Sequence, residues 1–322
     1  MKKSGKWLIA AAVLIIVGGA IFVFAMGMSR WNFSSIGSED LVTDTAEPAG
    51  SFGSVLIESH TENIVFKRSD NGKCRVVFRV PEGHEHEAFV QNGVLTVTAK
   101  EFRARNGSLL SFSSGSPSIT VYLPGTEYEK LSVSESTGDV SIPVGFSFDS
   151  MEIALSTGDV DCAASCTGKA GVKTSTGDIR LSQMNAGQLD LSVSTGAVTL
   201  DSVSCTGSLG IGVGTGKITL TNVSCGSFVS EGGTGRVTLT NVLADGLLSV
   251  TRTTGDIMLQ DCDAGELYLA ATTGRIDCLL LSPKTFSAHT STGRVSIPEN
   301  FGAEGKCTVT TTTGNIKIEV SR

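Results

Sequence analysis

The chain has 322 residues, 25 Lys and Arg against 32 Asp and Glu, a net charge of −7, and 40% hydrophobic residues. That composition suits a folded chain with a sizeable core. It argues against a nucleic-acid partner, because binding the phosphate backbone calls for a basic face that this chain lacks.

Residues 1–6 carry Lys2, Lys3 and Lys6 and are expected to be a cytoplasmic tail. Residues 7–28 (WLIAAAVLIIVGGAIFVFAMGM) are apolar and uncharged. At about 1.5 Å per residue they are long enough for a bilayer core of about 30 Å. Trp7 and Trp31 flank the run like interfacial anchors. The run is longer than the usual h-region of a signal peptide, so an uncleaved anchor is favoured over a cleaved one with Ala25 and Gly27 at its site. The expected topology is a single pass in the cell membrane, with everything after residue 28 extracytoplasmic. Without the three leading lysines, 22 basic residues face 32 acidic ones, a balance of −10 that suits solubility there.

Residues 29–50 read as a polar linker. From 51 to 130 strand-like stretches follow without a strict period: SVLIES, NIVFKR, CRVVFRV, GVLTVTA and SITVYLP. They predict an irregular β cap and the first coils, with the polar stretch 101–118 as an insertion.

Residues 131–322 are governed by a repeat. A Thr-Gly pair recurs with Gly138, Gly158, Gly177, Gly196, Gly216, Gly235, Gly255, Gly274, Gly293 and Gly314, at intervals of 19 to 21 residues. Apolar columns stand seven and five residues before each Gly (Leu131 and Val133, Leu189 and Leu191, Leu267 and Leu269). Others stand two and four residues after it (Val140 and Ile142, Val198 and Leu200, Val295 and Ile297). Polar residues alternate between them, the period of a strand with one buried face. Nineteen residues leave no room for an ordinary helix beside two strands. The fold class is therefore all-β: a single-chain β-solenoid (β-helix) of about ten coils, roughly 48 Å long, with a less regular cap and one preceding transmembrane helix. The Gly positions are structural corners that need positive φ or close backbone approach. The Thr before each is read as structural, its hydroxyl able to bond the corner backbone.

Little in the chain reads as chemistry. Cys162, Cys278 and Cys307 occupy core columns, and Cys262 stands where other coils have Val, so they read as small buried hydrophobes. Cys205 and Cys225 share one offset in adjacent coils and could stack within disulfide range. There is no CxxC, which disfavours structural zinc. The column after the Gly (Asp139, Asp159, Asp178, Ala197, Lys217, Arg236, Asp256, Arg275, Arg294, Asn315) resembles a calcium β-roll turn, but cations stand where carboxylates belong. It reads instead as a solvated face with cross-coil charge pairing. His84 and His86 could share a strand face and hold a metal, though a polar turn fits PEGHEHE better. No catalytic constellation stands out, and no cofactor is expected. Thr columns occur on ice-binding solenoids too, but here the Thr abuts a corner.

The stretch SITVYLPGTEYEKLSVSESTGDVSI and the repeated STGDV, STGDI and LTNV resemble a bacterial family of "putative adhesins", β-strand-repeat proteins of unknown function. The resemblance covers about 51–322. It implies a single-pass envelope protein with a β-solenoid ectodomain, linked to cell-envelope stress, and it supplies no catalytic residues. The expected role is an adhesion, interaction or scaffold module without catalysis. Its partner would be an envelope protein or a cell-wall glycan, with membrane contact through 7–28. The alternatives are a sensor or modulator arm of an envelope-stress system and a polysaccharide-active β-helix enzyme.

Overall fold

The structure, a computed structural model, describes Gly18 and residues 38–39, 41–100, 112–113, 115–299 and 305–321. The expected tail 1–6 and span 7–28 lie outside the described residues apart from Gly18. Among the described residues no helix is long and apolar enough to cross a membrane. The chain divides into two units, residues 1–41 with 103–115, and residues 42–102 with 116–322. In the first, Ser38–Glu39 pairs in parallel with Phe112–Ser113. The second is the solenoid.

Period-two alternation becomes parallel pairing, in register on each side of the bends. Leu131 pairs with Met151, Met151 with Ala170, and Ala170 with Leu189, and the columns after the corner align in the same way, Val140 with Val160 and Val160 with Ile179. Each turn has three bends. The first is the Thr-Gly corner, where Gly196 has a φ of +146°. Its N–H donates to the Thr215 carbonyl of the next turn. In the five turns from Gly177 to Gly255 the second bend is made by one left-handed residue six positions on: Gln183, Ser202, Asn222, Asn241 or Asp261. Asn and Asp tolerate that conformation best among residues with a Cβ. The third lies at the register shifts between, for example, Cys205 and Ser208.

A third inward column, three residues before the corner, completes the core. Leu155, Val193, Val213 and Ala271 fill it, but so do Glu135, Thr174, Arg252 and Thr311. Thr174 and Thr311 donate to the carbonyls of Gly158 and Gly274. The hydroxyls that bond the corners are therefore these, while the Thr beside each corner Gly points to solvent. Arg252 lies in the space that Gly232 leaves without a side chain. It donates to Ser230 Oγ at 3.0 Å and to the Val213 carbonyl at 3.5 Å. Burial lowers its guanidinium to about 10.

Both ends stack out of chain order. Ser54–Glu58 and Asn63–Arg68 lie between the turn of Glu127–Thr137 and Val140–Ile142 on one side and Val94–Ala99 with Ser118–Leu123 on the other. Beyond these, Arg75–Pro81 pairs antiparallel with Ser118–Leu123, and His86–Gln91 pairs antiparallel with Val94–Ala99. Leu41–Ala46, expected as linker, adds a strand beside Arg75–Pro81. At the far end Lys306–Thr313 and Ile316–Val320 insert between the turn of Gly274 and the strands Thr285–Thr292 and Val295–Ser296. The stack has about nine turns, where the repeat predicts about ten. The turn of Gly293 is its outer edge, which leaves Val295 and Ile297 exposed where the repeat pattern predicts burial. No turn lies beyond it, among the described residues, to cover them.

Candidate functional site

The column after the corner Gly has a structural task. Oδ1 of Asp139 accepts the N–H of Asp159, Oδ1 of Asp159 that of Asp178, and Oδ1 of Asp178 that of Ala197, each at 2.8 Å. Asn63 caps Asp139 in the same way, and Asn315 caps Arg294, so charge is not required. Arg180 lies 2.8 Å from Asp159 and 2.7 Å from Asp178 and holds the Asp159 carboxyl below its usual range. The expected cross-coil pairing is present there and between Arg236 and Asp256. Among the described residues no group of three or more His, Cys, Asp and Glu side chains could hold a metal.

Cys205 and Cys225 are register partners, as their shared offset predicted. Both stand as free thiols: Cys205 donates to the carbonyls of Gly187 and Ser208, Cys225 to that of Leu243. All eight cysteines are buried. Burial pushes the thiols of Cys162, Cys225 and Cys307 up to about 12, which keeps them unreactive.

His84 and His86 separate. His86 opens a strand and buries its side chain against Phe78, with Nε2 3.3 Å from Glu62 Oε1, so it does not belong to a polar turn. Glu62 accepts from Ser59 Oγ and from the N–H groups of His60 and Thr61. Burial alone would raise the Glu62 carboxyl, but the neighbouring His86 first, then Ser59 and the two N–H groups, outweigh it and hold it well below the usual range. Glu135 is pushed up to about 7 by burial and by the neighbouring Glu62 charge. The alternation that makes the columns at seven and five inward also turns Glu135 inward, a signal available in the sequence and not used. The Glu62 carboxylate lies between the Ser59 hydroxyl and the His86 imidazole, so the group that faces the serine oxygen is a carboxylate held well below its usual range, a weak base, and not the imidazole that nucleophilic catalysis by serine uses.

The open surface feature lies on the outer face of the strands that precede the corners. A hollow of about 430 Å³ is lined by residues from Lys130 to Ser192 across four turns. Its central column runs Glu152, Gly171, Asp190, which are register partners. Lys130, Lys169 and Lys173 stand around it. The turns that build it lie within the residues matched by the Toastrack DUF4097 family model, 53–221, more than half of the chain.

The chain belongs to the Toastrack DUF4097 family. No curated protein matches it. Among solved structures, this Toastrack chain is similar to a "putative adhesin" of Bacteroides fragilis, at 15% identity and a TM-score of 0.42, covering 87% of this chain and 98% of that one. A "putative adhesin" of Parabacteroides distasonis is similar at 13% identity and a TM-score of 0.45, covering 86% and 98%. A "putative lipid binding protein" of the same species matches at 16% identity and a TM-score of 0.49, covering 75% and 98%.

Proposed function

We propose that this Toastrack solenoid is a non-catalytic interaction or scaffold module, held at the bacterial membrane by residues 7–28 and exposed outside the cell. One observation supports the binding role above the rest. Rigid, register-matched turns present outward side chains in continuous columns, the arrangement solenoids use for extended contact. The polysaccharide-cleaving alternative draws on Glu152 and Asp190, two turns apart across Gly171. Such cleavage needs one carboxyl held protonated by an apolar surrounding. Both carboxyls stand on an open face, and Asp190 is 62% exposed, which favours binding over cleavage.

Two measurements test the proposal. Protease added to intact cells should remove the repeat, and crosslinking in living cells should recover a specific envelope partner. A protected repeat would refute the topology. Hydrolysis of an acidic polysaccharide by the purified chain, lost in Glu152→Gln, would refute the non-catalytic reading.

A further inference from the structure

Gly171 has no backbone reason to be glycine. It sits inside the strand Ser165–Thr176, outside the positive-φ set, and a Cβ there would meet no atom within 4 Å. A glycine within a strand weakens it, and in such a place often marks where something else approaches closely. Here the missing side chain opens the floor of the hollow between Glu152 and Asp190.

The charges around that floor are available. Among the described residues neither Lys130 nor Lys173 has a carboxylate within ion-pair distance. Lys169 reaches Asp190 at only 3.8 Å, with the two side chains 59% and 62% exposed. Three lysines converge on one face of a chain whose net charge is −7. Lys130 pairs with Ser150, and Lys169 stands beside Ala170, the partner of Met151. The two lysines are thus two turns apart, about 10 Å at the usual strand spacing, near the length of a disaccharide. The strands of this face are paired on both sides, so an added peptide strand finds no free edge. No aromatic residue lines the hollow for bases to stack on.

We infer that the hollow around Gly171 binds an anionic carbohydrate chain. Lys130, Lys169 and Lys173 meet its negative groups, and Glu152, Asp190 and Ser192 accept from its hydroxyls. The inference rests on the interaction-module reading and gives it a ligand class. The negative groups could be sugar carboxylates or polyol phosphates, and the test separates the two.

The purified full chain is titrated at low salt with an oligogalacturonate, a glycerol-phosphate oligomer and a neutral cello-oligosaccharide. At least one anionic probe should bind, more weakly as salt rises, while the neutral probe does not. The better probe names the source of the charge. Lys130→Gln with Lys173→Gln should weaken binding about tenfold, and Gly171→Leu should abolish it with the thermal transition retained. Lys217→Gln, at a corner, should leave it unchanged. The inference is overturned if neither anionic probe binds better than the neutral one, or if the double lysine variant binds like the parent. A protein partner crosslinked in cells, with no carbohydrate binding, would overturn this inference and leave the interaction reading standing.

Discussion

Replacing Gly196 by Ala tests the corner directly. Gly196 has a φ of +146°, a region that residues with a Cβ rarely enter, and holding Ala there costs about 1–3 kcal/mol. The added Cβ would also lie on the carbonyl of Gly177, the corner of the preceding turn. Relief requires the two turns to part. That would weaken the bonds across that gap, from Gly177 N–H to the Thr195 carbonyl at 3.0 Å and from Ile179 N–H to the Ala197 carbonyl at 2.9 Å, each worth about 1 kcal/mol. The expected loss is about 2–5 kcal/mol, since the smaller unfolded-state entropy of Ala returns less than about 1 kcal/mol. Gly212→Ala is the control. Gly212 is not in the positive-φ set, and its Cβ would come no nearer than 4.0 Å to any atom. It should be neutral or stabilising by up to about 1 kcal/mol. Urea unfolding of the purified chain, followed by far-ultraviolet circular dichroism, measures both. A difference between the two variants below about 1 kcal/mol would refute the claim that close stacking makes the corner glycine obligatory.

Other outcomes are expected on the same physical grounds. The Glu135 carboxyl, raised from 4.5 to about 7, favours its protonated form in the fold. Its contribution is complete below pH 4.5 and is lost as pH rises through 7, about 3 kcal/mol at most. Glu135→Gln should flatten that slope in unfolding measured from pH 5 to 8; an unchanged slope would show that Glu135 is not its source. Asp139→Asn keeps an acceptor for the Asp159 N–H and should change stability by less than about 0.5 kcal/mol, whereas Asp139→Ala should cost about 1 kcal/mol. A chelator should leave the melting temperature of the parent unchanged, and a clear drop would revive calcium binding. No thiol should react with a disulfide reagent at pH 8 until the chain unfolds, when all eight should titrate. Six in the absence of reductant would instead indicate one bridge, with Cys205 and Cys225 as the first pair to examine.

The sequence alone determined the cross-section of each turn. Alternation decides which side chains face inward, because a strand presents successive residues to opposite faces. Leu189 and Leu191 are buried for that reason, and by the same rule Glu135 and Arg252 face inward despite their charge. Positive φ at the corners was legible because Gly stands at every one. The order of stacking was not legible. All turns carry the same columns, so each can pack on any other. The final turn is interior, with Cys307, Val309, Ile316 and Ile318 buried, and the turn of Gly293 takes the edge with Val295 exposed. The hollow was equally hidden, since it arises only when register sets Gly171 between Glu152 and Asp190. Chain-local pattern fixes what a residue faces, and only the packing of distant turns decides what lies beside it.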